Sequence, residues 1–150
     1  MKFERSIYIQ RPPEDVFLFL RDKDLFPQPA ESPVLRLEKT TPGPVAVGTR
    51  YCEVVQMFPF WKGDIFSEVK RYEPPFHLEE AFHGASMQGY LAYIFQPIEG
   101  GTLLIQQETV QFKGLLTIFT PIMERMLLKK IDERLVGIQH FLERGREATS

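Results

Sequence analysis

One cysteine, Cys52, stands in 150 residues. That count excludes an internal disulfide and a cysteine-based zinc site. No run of lysine or arginine is present, and the formal net charge is −2, so nucleic acid is a poor partner. No stretch approaches the roughly 20 apolar residues of a membrane span, and the opening MKFERSIYIQ has no signal-type apolar core. These absences lead to the expectation of a soluble cytoplasmic protein, monomeric or homodimeric, with no stable membrane insertion and at most a transient touch of a membrane surface. Internal repeats and low-complexity linkers are missing as well, so residues 1–150 read as a single domain. His77, His83 and His140 have no metal-ligand spacing with one another or with nearby carboxylates. There is no serine elbow, glycine-rich phosphate loop or Cys–His pair. The expected site therefore needs neither metal nor cofactor.

What the chain has in quantity is apolar surface. Hydrophobic residues make up 43% and aromatics 13%, thirteen of them Phe, which calls for a large apolar interior or a cavity. Prolines at 12–13, 27–33, 42–44, 59, 74–75, 97 and 121 mark element boundaries, because proline is kept out of central strands and helix interiors. Between them, alternation predicts strands over 3–10, 34–40, 49–57, 64–72, 76–83, 89–96 and 102–112. Pro13, Glu14 and Asp15 suit the first turn of a short helix whose buried side is Val16, Phe17 and Leu20. Residues 24–33 read as irregular with one helical turn. Glu99-Gly100-Gly101 is a hairpin turn, its glycines supplying positive φ.

The longest periodic stretch is 121–144, which reads as one helix of 24 residues, about 36 Å long. Thr120 serves as its N-cap and Pro121 as its first residue. Met123, Leu127, Ile131, Leu135, Ile138, Phe141 and Leu142 fall on one face; Lys129, Asp132, Glu133, His140 and Glu143 fall opposite. The residues after Arg144 are expected to fray.

Strand, two short helices, six strands and a long C-terminal helix is the helix-grip order. Five local phrases carry a family resemblance: IYIQRPPEDVFLFLRD, VGTRY (47–51), EVKRYEPP (68–75), EGGT (99–102) and the ending Leu135, Ile138, Leu142-Glu143. Together they resemble the polyketide cyclase/dehydrase-like branch of the START/Bet v 1-like (SRPBCC) superfamily over about residues 3–144. The resemblance implies an α+β fold: a curved antiparallel sheet of about seven strands wrapped around the last helix, with a pocket between them. The superfamily includes lipid carriers, hormone receptors, quinone-binding proteins, aromatase/cyclases and co-chaperone domains, so the resemblance does not choose among them.

Strand alternation then nominates residues for such a pocket. Leu91, Tyr93 and Phe95 share a face, as do Phe76, Leu78, Glu80 and Phe82, and Leu104, Gln106, Glu108, Val110 and Phe112. On 49–57, Tyr51, Glu53 and Val55 are preferred over Arg50, Cys52 and Val54 as the inward set. With Val69, Leu127 and Ile131 these supply the expected ligand wall: Tyr51, Glu53, Val55, Val69, Phe82, Tyr93, Phe95, Leu104, Gln106, Glu108, Leu127 and Ile131. Glu108 is the leading candidate base, since a dry pocket raises a carboxyl pKa; a strand glutamate is more often solvent-facing. Glu53 has the same two readings. Arg134, at the stripe edge, holds a ligand oxygen in one reading and snorkels to water in the other, and Glu124 or Glu108 would serve as its ion-pair partner. His83 ends a strand near the expected rim, more in keeping with a surface residue than a base. Three connections, 57–61, 84–89 and 112–119, place Phe58, Phe60, Trp61, Met87, Leu115 and Phe119 around the mouth, extended by Ile122 and Met126.

The first expectation is binding of a small hydrophobic ligand such as a lipid, quinone or polyketide-like molecule, for carriage or sensing. A cofactor-free cyclase or aromatase using a pocket carboxylate is the alternative. An interaction module using the apolar rim is the third. Within the last helix, Leu135, Ile138 and Leu142 read as plain core, and the half from Ile122 to Arg134 as pocket wall and lid.

Overall fold

A computed structural model describes residues 1–26, 32–58 and 61–149, without the side chains of 57, 58, 61 and 146–149. In chain order the elements are β1 (Lys2–Ile9), α1 (Pro13–Arg21), β2 (Val34–Lys39), β3 (Arg50–Phe58), β4 (Trp61–Glu73), β5 (His77–Gly84), β6 (Met87–Ile98), β7 (Gly101–Phe112), a 3-10 helix (Gly114–Phe119) and α2 (Thr120–Thr149). The seven strands form one antiparallel sheet in the order β1-β7-β6-β5-β4-β3-β2. Short connections join β2 through β7 in sequence, as antiparallel neighbours allow. The first strand instead pairs with the last, and α1 carries the chain from there towards the opposite edge.

Local chemistry explains the ends of these elements. Pro13 opens α1 with Glu14 and Asp15 in its first turn and Arg21 in its last, the charge order that the helix dipole favours. Glu99 and Gly100 both take positive φ (46° and 76°) between β6 and β7, as a tight hairpin turn of primed type requires. Gly101, expected to share that role, is already the first residue of β7. β6 runs through Pro97, which lies opposite Thr102 one residue from the strand end. β3 runs to Phe58 and β4 starts at Trp61, with Phe58 opposite Trp61, so both ends of the expected 57–61 connection are strand. No second short helix follows α1 among the described residues; 22–25 form turns, and 27–31 lie outside them.

One face of the sheet is buried by α1 at one end and by α2 along its length. Val16, Phe17, Phe19 and Leu20 of α1 are buried, with the Phe17 ring 5.0 Å from Phe95 and 5.6 Å from Tyr72. α2 lies beside β1. Gln139 Nε2 donates to the Tyr8 carbonyl at 2.7 Å, Arg5 meets Asp132 at 3.1 Å, and Arg11 donates to the Leu142 carbonyl at 2.9 Å. Its buried stripe is Met123, Leu127, Ile131, Leu135, Ile138 and Leu142. Phe141, expected there, is 40% exposed; it stands at the stripe edge, its ring 5.1 Å from Phe19 and 6.1 Å from Phe26. Thr120 is not an N-cap. It has helical angles (φ −48°, ψ −48°) and its hydroxyl donates to the Thr117 carbonyl, because the 3-10 helix runs directly into α2. The helical backbone also continues past Arg144 to Thr149, where fraying was expected. No helix among the described residues is long and apolar enough to cross a membrane.

Gly89 of β6 has no room for a side chain. A Cβ there would lie 1.8 Å from the Thr109 carbonyl oxygen and 2.9 Å from the Phe82 ring. Gly89→Ala is therefore expected to destabilise by about 1–3 kcal/mol or more, the usual range for overpacking. Urea denaturation checks this: the midpoint should fall with the m-value unchanged.

Candidate functional site

Because alternate residues of a strand point to one face, the covered face presents Glu53 and Val55 of β3, Ile65 and Ser67 of β4, Glu80 and Phe82 of β5, Leu91 and Tyr93 of β6, and Gln106, Glu108 and Val110 of β7. Together with Leu127, Ile131 and Arg134 of α2, Lys23, Met87 and the β2 side (Pro33, Val34, Leu37), they enclose a cavity of about 130 Å³. α1 does not reach it except through Lys23, in the turn that follows the helix. At the α1 end the same face is packed solid, with Phe17, Phe95, Leu104 and Ile138 all nearly inaccessible.

Two polar groups stand in this apolar wall. The first is centred on Lys23. Its Nζ lies 2.9 Å from Glu80 Oε2, 3.2 Å from Glu53 Oε1, and 4.4 Å above the Tyr51 ring. Burial opposes the ammonium, but Glu80 and Glu53 outweigh it and hold the Lys23 pKa above the ordinary lysine value. Burial also pushes the Tyr51 hydroxyl up to about 12, with Lys23 pulling against it. The second group is at the α2 side. Arg134 Nη1 donates to the Tyr93 hydroxyl at 2.6 Å, and its guanidinium carbon lies 5.9 Å from the centre of that ring. Burial raises the Tyr93 pKa, opposed by Arg134. Glu108 lies on β7, opposite Leu91 of β6. Burial pushes its carboxyl up to about 8; Arg134 lowers it and Glu53 raises it by smaller amounts.

Not all of the polar atoms here are satisfied. Ser67 Oγ, Gln106 Oε1 and Glu108 Oε2 are buried with no hydrogen-bond partner among the described residues, and all three residues line the cavity. Buried polar side chains are normally paired, so each such atom calls for an explanation.

The residues nominated from sequence divide. Glu53, Val55, Phe82, Tyr93, Gln106, Glu108, Leu127 and Ile131 are brought together on the cavity wall. Tyr51, Val69, Phe95 and Leu104 are not: they are buried in the packed core, because α1 fills that end of the face. Phe76 is exposed, lying in the turn ahead of β5. Arg134 turns inward to Tyr93 and forms no ion pair with Glu124 or Glu108 among the described residues. His83 is exposed and stacks on Phe66 at 5.7 Å, away from the cavity. Of the expected rim, Met87 is buried on the cavity wall, while Leu115 and Phe119 are 80% and 52% exposed on the 3-10 helix. Phe60 and the side chains of Phe58 and Trp61 lie outside the described residues. Glu80, nominated with Leu78 and Phe82 though not in the expected ligand wall, also lines the cavity, and Lys23 and Ser67 are additions. The burial of Glu80 is readable from its alternation with Leu78 and Phe82, and that of Ser67 from Ile65 and Val69. Lys23 sits in a turn, where no periodicity reports direction.

Neither a protein-family model nor a curated protein matches the sequence. Solved structures do match in shape. A protein from Thermus thermophilus aligns with a TM-score of 0.81 at 18% identity, covering 97% of this chain and 99% of its own. The Zhui aromatase/cyclase from Streptomyces sp. R1128 aligns at 0.78 and 12%, covering 96% and 94%. A START superfamily protein from Mycobacterium smegmatis aligns at 0.77 and 11%, covering 95% and 97%. The chain has the START/Bet v 1-like helix-grip fold. At these identities the likeness establishes the fold and leaves the activity to the site itself.

In a helix-grip domain the raised pKa of Glu108 has a consequence for stability. The folded state keeps a proton that the unfolded chain, with an ordinary value of 4.5, gives up. The stability that Glu108 contributes is therefore fully present below pH 4.5 and is lost progressively as pH rises towards about 8. Thermal unfolding between pH 5 and pH 8 should show a falling Tm that Glu108→Gln flattens. Parallel profiles for the two proteins would contradict the assignment.

Proposed function

We propose that the chain binds a small, mostly apolar molecule in the cavity between α2 and the sheet, for carriage or sensing. The observation that supports this reading is the cavity itself. It is a partly open space of about 130 Å³, walled by Val55, Phe82, Leu91, Val110, Leu127 and Ile131, inside an otherwise packed core. Interiors rarely leave such voids. An apolar cavity of about 150 Å³ takes up benzene, whereas drug-sized ligands need roughly 300–1,000 Å³. The part of a ligand that this space holds is therefore of single-ring size, smaller than the lipid chain or whole quinone that the sequence suggested. Benzene titrated into the protein and followed by NMR should shift resonances of the Leu127 and Ile131 methyls. Ile131→Phe, which fills the space, should weaken that binding at least tenfold while the circular dichroism spectrum is kept. Absence of any benzene response in the unaltered protein would overturn the reading.

One feature favours a second reading, acid–base chemistry. Glu108 carries its proton near neutral pH beside the Arg134–Tyr93 pair, and the fold is that of an aromatase/cyclase among others. In this reading the ionised fraction of Glu108, which grows as pH approaches about 8, takes the α-proton of a ketone and returns a proton or solvent deuteron to that carbon, while Arg134 and Tyr93 steady the charge on the ketone oxygen. Cyclohexanone in D2O is a suitable probe. Faster exchange of its α-hydrogens with the protein, lost in Glu108→Gln, would support catalysis; exchange at the buffer rate would leave binding alone.

A further inference from the structure

The unsatisfied atoms of the wall specify the polar part of the ligand, given that the cavity binds one at all. Two of the three stand close together. Gln106 and Glu108 are two residues apart on the inward face of β7, and Gln106 lies opposite Tyr93 on β6. Tyr93 in turn receives the Arg134 hydrogen bond. One corner thus gathers Gln106, Glu108, Tyr93 and Arg134; Leu127, Val110, Phe82, Ile65 and Val55 supply apolar wall, and Lys23, Glu53, Glu80 and Ser67 complete the lining. Gln106 is only 2% exposed and lines the cavity, and its amide oxygen has no donor among the described residues. Glu108 Oε2 likewise has no partner among them. An amide oxygen asks for a donor. A protonated carboxyl offers one and also accepts. A single hydroxyl answers both, donating to Gln106 and accepting from Glu108.

Charge narrows the ligand further. The wall carries two cations, Lys23 and Arg134, and two carboxylates, Glu53 and Glu80, besides Glu108. With Glu108 holding its proton these cancel, and a charged ligand would enter the site without a matching counter-charge, at a desolvation cost. Size allows one ring. We propose that the cavity takes an uncharged single-ring hydroxy compound of the phenol class, its ring against Leu127 and Phe82 and its hydroxyl between Gln106 and Glu108. Ser67, 6% exposed on β4 and also unsatisfied, stands apart from that corner and can meet a second oxygen substituent.

Phenol, benzene and benzoate titrated separately into the intact protein at pH 6.5, by NMR or calorimetry, test this. One well-placed hydrogen bond of about 1 kcal/mol predicts phenol binding roughly five- to tenfold tighter than benzene. Benzoate should bind more weakly than phenol. Gln106→Leu should bring phenol down to the level of benzene in the same variant, so that the preference for phenol disappears. If benzene binds as well as phenol, the polar corner does not select a hydroxyl and the inference fails while the binding reading stands. If benzoate binds more tightly than phenol, the ligand is anionic and the inference is again overturned. If none of the three binds, both readings fall. Should Gln106→Leu not fold, the three-ligand comparison on the unaltered protein still decides.

Discussion

The structure depends on a mismatch between one helix and one sheet. α2 must bury an apolar stripe that runs its length, and each large side chain in it is worth roughly 1.5–3 kcal/mol on burial. A seven-stranded sheet offers far more inward surface than one helix can cover. α1 supplies the missing volume at one end, where Phe17 seats against Phe95 and Tyr72. Nothing equivalent fills the other end among the described residues, and there the space between Leu127, Ile131 and the sheet remains as a cavity. The site is thus a consequence of where the chain spends its short helix.

The charges around that cavity follow from the same geometry. Lys23 is carried inward at the end of α1, and a buried ammonium is tolerated only with counter-charges in contact. Glu53 and Glu80, contributed by two different strands, provide them. Arg134, on the inward edge of α2, finds the Tyr93 hydroxyl instead of a carboxylate. Glu108 is buried with no cation in contact among the described residues and accordingly keeps its proton to about pH 8. Ion pairing, hydrogen bonding and protonation are therefore three answers to one problem, burial of ionisable groups beside an apolar space.

Much of this was legible in the sequence, and the limits have physical causes. Period-two alternation placed every strand and the inward parity of β3, β6 and β7, since a face has only two choices. The 3.6-residue period placed six of the seven expected stripe residues of α2. Phe141 failed because it sits at the stripe's edge, where a neighbouring aromatic cluster decides its position. Position along a face is a different quantity from parity. Tyr51, Val69, Phe95 and Leu104 have inward parity yet are core, and only the packing of α1 determines that. Thr120 failed as an N-cap because the preceding residues are themselves helical. The ring of partners around Lys23 joins residues up to 57 positions apart, a relation that no local pattern records.

The central claim is that α2 and the sheet enclose an open apolar space beside Leu127 and Ile131, not a closed core. Crystals pressurised with xenon test it most directly, since apolar cavities of this size take up the atom. The account predicts one xenon site in contact with Leu127, Ile131 and Phe82, with the side chains around it unmoved. Side chains packed together across that space, with no xenon bound there, would contradict it.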